Sequence, residues 1–220
     1  MQISQRPPEI VSLRVLQMLD GIERAGFAPI SFRSLHSFAY VGNLLSPLWD
    51  VDPLDGKILK QGYPYYPELR VAIDGAIFCG LIDLTKFEAA NFEGEWVAEG
   101  EIGLNYALAR PILDDLDVFS DEVRMRDFLY RLALALAPSA EELPELIMSD
   151  VTWTDNRTGR GDIIDYAETK EGNYTANTVR AFDELLPKSM ASTKGEKLQF
   201  YVRLLEKRAT TRADDVKKSA

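Results

Sequence analysis

The stretch "EIGLNYALA", residues 101–109, limits the fold more than any other. Ile102, Leu104, Tyr106 and Leu108 alternate with other residues, which is the period of a strand with one buried face. A second short apolar run, "LIDLTKF" (81–87), lies upstream, and an acidic, glycine-bearing connector joins the two. Two such runs so joined predict a β-hairpin. The chain before them has a different period. Val11, Val15, Met18, Leu19 and Ile22 follow helical spacing over residues 8–25, with Pro7 and Pro8 before and Gly26 after. Ser31 is placed to cap a second helix carrying Phe32, Leu35, Phe38 and Ala39 towards Leu44 and Leu45, where Pro47 stops it. One short strand is expected around Lys57–Lys60. A third helix follows from Pro67 to Cys79, with Leu69, Ile73, Ala76 and Ile77 inward and Gly80 as its C-terminal cap.

Three helices followed by a two-stranded wing is the order of a winged helix-turn-helix. The expected class is therefore α+β, mainly α: a winged helix over residues 8–110, a helical C-terminal domain over 111–210, and a flexible tail at 211–220. In the C-terminal part, Ser120 is placed to cap a helix over 121–137 with Phe128, Leu129, Leu132 and Leu136 inward. Ser139 with Glu142 and Thr193 with Glu196 both have capping-box spacing. Asn173 is placed to cap a helix from Tyr174 to Leu186, closed by Pro187, and the helix after Thr193 carries Leu198, Tyr201, Val202 and Leu205 on one face.

In a winged helix the third helix would read DNA, but its expected outward positions, Glu68, Arg70 and Asp74, offer one cation against two acids. The wing adds Glu88, Glu93, Glu95, Glu99 and Glu101, which phosphates would repel. From Gln61 to Ser120 there are three cations and eleven acids, 3 − 11 = −8, within a chain of net charge −10. This surface is expected to bind protein. From Lys188 to the end there are nine cations and four acids, 9 − 4 = +5. Lys194, Lys197, Arg203, Lys207 and Arg208 on the last helix form a candidate surface for an acidic partner or, without sequence preference, for DNA phosphates; Arg212, Lys217 and Lys218 lie beyond them.

Composition removes several chemistries. The single histidine, His36, sits on an expected helix without a G-x-S-x-G, so a serine hydrolase triad has no basis. One histidine and one cysteine exclude a Cys/His zinc site. Cys79, inside "AIFCGLI", reads as a buried structural thiol. No P-loop occurs, so any ATP hydrolysis belongs to a partner. No cofactor is expected. The absence of a long apolar run and of a signal-peptide pattern leads to the expectation of a cytoplasmic protein.

Four pieces carry a resemblance: "LRVLQMLD", "YYPELRVAIDGAIFCGLIDL", "DIIDYAETKEGNYTANTVRAFDELLP" and "KGEKLQFYVRLLEK". Together they resemble the middle components of three-component ABC-ATPase systems of bacterial defence islands, a group that includes Lamassu-type anti-phage systems. The resemblance spans about residues 8–208. It implies a small accessory subunit, a winged helix with a helical C-terminal part, working with an SMC- or Rad50-like ATPase and an effector. It carries no catalytic residue.

The stretch "TDNRTGRGDIIDY" (154–166) has several motif readings. Its N-x-[ST] at Asn156 and its Arg160-Gly161-Asp162 need secretion, and Arg157 and Gly159 stand where a calcium loop would need oxygen ligands. A PD-(D/E)xK-type nuclease is the enzymatic alternative. Asp150 or Asp162 would be the first carboxylate, and Glu168 with Lys170 the E-x-K. Such a three-residue pattern is expected by chance in a chain that is 27% charged. The structural expectation is a tight turn at Gly159 and Gly161, with Ile163 and Ile164 anchoring the C-terminal helices. A DNA-binding regulator acting through Lys194, Lys197 and Arg203 is the other alternative.

Overall fold

The computed structural model describes residues 7–52, 54, 57–92, 95–154, 159–165, 174–185 and 193–219. The fold is mixed α+β and mainly helical, with two small antiparallel sheets. Helix α1 (Pro8–Ala25) starts on a proline and ends at Gly26, whose φ of 84° is the left-handed conformation that glycine adopts without steric cost. Strand β1 (Ile30–Ser31) leads into α2 (Phe32–Leu45), whose Ser31 cap accepts from the Ser34 amide at 3.0 Å. Pro47 falls in a short 3-10 turn that closes α2. Strands β2 (Lys57–Lys60) and β3 (Pro64–Tyr65) precede α3 (Pro67–Phe78). The long hairpin of β4 (Ile82–Phe92) and β5 (Glu95–Leu104) follows directly.

Sheet one has the order β1-β5-β4, so β5 is central and β4 is an edge. The register pairs Ile82 with Leu104, Leu84 with Ile102, Phe87 with Gly100 and Asn91 with Trp96, with a bulge between Leu84 and Lys86. Sheet two has the order β3-β2-β6, where β6 (Ile163–Asp165) pairs Ile164 with Ile58 and Ile163 with Leu59. Gly161 has φ 88° and its amide donates to Lys60 O at 2.6 Å. The tight turn expected here is therefore present at Gly161, and Ile163 and Ile164 pair with β2 in the N-terminal half, while residues 166–173 between β6 and α7 lie outside the described residues.

Helices α4 (Tyr106–Leu116), α5 (Ser120–Leu136), α6 (Leu143–Ile147), α7 (Tyr174–Leu185) and α8 (Lys194–Ser219) complete the chain. One hydrophobic core runs through both halves, from Val11 to Leu205. Gly21 marks a close contact between α1 and α5. A Cβ there would stand 3.2 Å from the Leu129 and Tyr130 backbone, so α1 and α5 approach as closely as they do because residue 21 has no side chain.

Several local expectations give way. The strand alternation ends at Leu104, and Tyr106 and Leu108 belong to α4. The apolar residues of "YALARPILDDL" fit a helical period too, and Asn105 starts the turn by accepting from the Leu108 and Ala109 amides. Ser120 is the first residue of α5 rather than its cap. Ser139 makes no capping box; its hydroxyl donates to Glu206 on α8, and residues 137–142 form a 3-10 segment. Thr193 and Glu196 do form the box expected of them. Helix α8 runs on to Ser219, because no glycine or proline interrupts it after Gly195. Cys79 is exposed at the end of α3, not buried, because the helix turns the "CG" pair outward as it closes. Asn156, Glu168, Lys170, Asn173 and Pro187 lie outside the described residues.

Candidate functional site

Arg70 is the only cation of α3, and it is already engaged. Its Nε lies 3.0 and 3.2 Å from the two oxygens of Asp74, its Nη1 donates to Ala98 O at 3.4 Å, and its guanidinium stacks 4.2 Å over the Phe32 ring. A phosphate would have to displace all of these. Glu68 is half-buried and Asp74 exposed. The outward stripe of the helix is instead Val71, Gly75 and Phe78, at spacings of four and three. Val71 is 70% exposed and Phe78 92%. Its signal in the sequence is that Val71 and Phe78 share a helical face that Leu69, Ile73 and Ala76 do not use.

The hairpin shows a gradient along one face. At its base Ile82, Ile102 and Leu104 are buried in the core. Midway Leu84 is partly exposed, and further out Phe87 is 62% and Trp96 73% exposed. These residues share a face because their cross-strand partners do. Gly100 lets this face approach α2. A Cβ there would sit 2.8 Å from Phe32 Cε2 and 2.9 Å from both Leu84 Cδ1 and Lys86 O, so the sheet meets α2 only because residue 100 has no side chain. On the other face Lys86 pairs with Glu88 at 3.1 Å and lies 3.8 Å from Glu101, and the side-chain bond to Glu88 raises the lysine's pKa. Glu99 turns inward to accept the Phe32 amide at 3.0 Å. Beyond the hairpin, Val118, Phe119 and Val123 add an exposed apolar corner between α4 and α5.

The five candidate cations of α8 differ in their surroundings. Arg203 and Lys207, one turn apart, are exposed on the side away from Leu198, Val202 and Leu205. Lys197 and Arg208 flank the buried seam. Lys194 lies 3.8 Å from Asp50 and 5.7 Å over the Trp49 ring.

Of the nuclease candidates, Asp162 is exposed and accepts from the Gly159 amide at 2.7 Å. Asp150 is fully buried. One of its carboxylate oxygens accepts from the Tyr40 hydroxyl at 2.7 Å and from the Thr152 and Trp153 amides at 2.9 and 3.1 Å. The other accepts from the Thr175 hydroxyl at 2.7 Å and from the Tyr201 hydroxyl. Burial, with the Asp150 charge, pushes the Tyr201 phenol well above its ordinary pKa, so it stays a donor. Five donors occupy the lone pairs a metal would need. Among the described residues no group of three or more His, Cys, Asp or Glu could hold a metal ion.

His36 is packed rather than catalytic. Its Nδ1 accepts from the Tyr66 amide at 3.2 Å, and the rings of Tyr63, Tyr65 and Tyr66 surround it. Burial, with Arg70 adding to it, lowers its pKa to about 3. A cleft of about 690 Å³ between residues 26–31 and 137–142 is lined by Glu101, Glu141 and Glu142, with no cation among its lining residues. Among the described residues no helix is long and apolar enough to cross a membrane. Comparison with family models, curated proteins and solved structures found no match.

Proposed function

We propose that this chain is a non-enzymatic accessory subunit of a bacterial anti-phage or anti-plasmid defence complex, joining an SMC- or Rad50-like ABC ATPase to an effector in the cytoplasm. In this reading α1–α3 and the hairpin are a winged helix that docks protein instead of DNA. The winged-helix assignment is supported by β1, which enters between α1 and α2 to pair with β5, and by α3 running straight into the hairpin. The observation that carries the function is the outward surface of that unit. Where a DNA reader presents free cations, this chain presents Val71, Phe78, Phe87 and Trp96, and its one α3 cation is held by Asp74. Exposed apolar side chains set among acids mark a protein contact, since phosphates are repelled and apolar area gains from leaving water.

The test is co-expression with a coiled-coil ATPase encoded beside the chain. The two are expected to co-elute, and Val71→Asp with Phe78→Asp is expected to separate them. A monodisperse monomer that ignores such neighbours would overturn the proposal.

A further inference from the structure

The outward face of α8 has a composition that protein docking does not explain. Arg203, Lys207 and Arg208 are exposed, and among the described residues none of the three has a carboxylate partner. Cations elsewhere on the surface are paired. Arg24, Arg70, Lys86, Arg110, Arg124 and Arg131 each lie 2.9–3.7 Å from a carboxylate oxygen. Arg180 on α7, which packs against α8, is exposed and also lacks such a partner among the described residues, so the unpaired cations gather on the two C-terminal helices. The helix dipole does not account for the three on α8. Its favourable effect on cations is confined to the last turn, and α8 runs to Ser219, 219 − 208 = 11 residues beyond Arg208, or about three turns. The face is also free of apolar groups. Gln199, Arg203, Lys207 and Thr211 stand four apart in one exposed stripe, with Arg208 and Thr210 beside it. Every apolar residue of α8 from Leu198 to Ala209 is buried or half-buried. The two acids of this stretch are engaged, Glu196 by Thr193 and Glu206 by Ser139.

We infer that this face of α8 rests on the phosphates of a nucleic-acid duplex without reading its sequence. The partner follows from what the face offers and what it lacks. Contact with a duplex backbone needs cations and polar hydrogen-bonding side chains, which Arg203, Lys207, Arg208 and Gln199 supply. A stable protein contact needs apolar or aromatic anchors. A single strand needs aromatic rings for its bases, and a membrane surface needs apolar groups to insert. The face has none of these. A second copy would have to bring its acidic segment, whose exposed Val71, Phe78 and Phe87 would find no apolar counterpart here. The net charge of −10 does not forbid the contact, because exposed charges more than about 8 Å away are largely screened at physiological salt. Lys194 and Lys197 contribute less: Lys194 lies beside Asp50 and Trp49, and Lys197 is half-buried. This contact is independent of the docking surface on α3 and the hairpin.

The experiment titrates the full chain into a fluorescently labelled DNA duplex of mixed sequence and reads anisotropy between about 50 and 200 mM salt. Three phosphate contacts predict a slope of about −2.7 in log K against log salt, a loss of about fortyfold over that range. A duplex of different sequence is expected to bind equally. Arg203→Gln, Lys207→Gln and Arg208→Gln together are expected to remove the binding and leave the thermal melt unchanged. Lys207→Gln alone is expected to make the slope shallower by about 0.9, a change that a folding defect would not produce. Val71→Ser with Phe78→Ser is expected to leave duplex binding as it is. No binding at the lowest salt, binding that the triple variant keeps, or a preference for one sequence or for single-stranded DNA would each overturn the inference. So would equal binding to phosphatidylserine vesicles or to a poly-glutamate peptide, or self-association in sedimentation that the triple variant abolishes.

Discussion

Asp150 is a charged side chain with no exposure, whereas Phe78, Phe87 and Trp96 are large apolar side chains that stay more than half exposed. The two regions fill opposite roles with the opposite of the usual residues. Around Asp150, α2 supplies Tyr40, α7 Thr175 and α8 Tyr201, so one carboxylate ties three helices and the 152–153 turn together. Direction and count matter there. A buried charge is tolerated only when its donors are complete, and the set is complete in one arrangement of the helices. At the hairpin the apolar groups impose no such geometry. They lower the cost of covering the surface and leave the identity of the cover to shape and charge. The comparison teaches that burial alone does not describe a residue's part in the fold; the completeness of each group's surroundings does.

The comparison breaks first at Asp150. Asp150→Ala is expected to lose about 3–5 kcal/mol, because five buried donors lose their acceptor; the denaturant midpoint measures it, and a loss under about 1 kcal/mol would mean the donors find other partners. Tyr201→Phe removes one charge-assisted bond and is expected to cost about 2 kcal/mol by the same measurement. A third effect comes from His36. Its folded pKa of about 3 lies below the unfolded value of 6.5, so protons bind the unfolded chain preferentially. Stability is fully present above pH 6.5 and falls as the pH drops towards 3, with a slope of about 1.4 kcal/mol per pH unit from this residue. Titrating the unfolding free energy between pH 6.5 and 5 checks the slope, and His36→Gln is expected to flatten it. The smallest effect sharpens the other side. Phe87→Asp and Trp96→Ser are expected to change stability by no more than about 0.5 kcal/mol, measured by thermal melting, while weakening partner binding in pull-down.

The helices α1, α2, α3 and α8, the short β2 and the hairpin were legible because each has one apolar face and a sharp boundary signal, such as Pro8, Ser31, Pro67 or Thr193. Helix α4 was not, because "IGLNYALA" satisfies a period of two up to Leu104 and a helical period after it, and only the turn at Asn105 decides between them. The Asp150 hub was invisible for a different reason. Its members are 110, 25 and 51 residues apart from it, and nothing local marks Tyr40, Thr175 and Tyr201 as donors to one carboxylate. For the proposed docking surface the charge was legible in the sequence, whereas the exposure of Val71 and Phe78 needed the structure. The polar residues of α3 are not its most outward ones: Val71 and Phe78 stand further out than Glu68 or Arg70.

The pairing of β6 with β2 closes a ring in the chain. Lys57–Leu59 lies against Ile163–Asp165, so everything between, including α3, the hairpin and α4–α6, is a loop whose two ends are stitched together. The protein is therefore divisible in a way its linear order conceals. A backbone cut at the far end of the hairpin would yield two pieces that still share a sheet and a core, and such pieces are candidates for reassembly from separate chains.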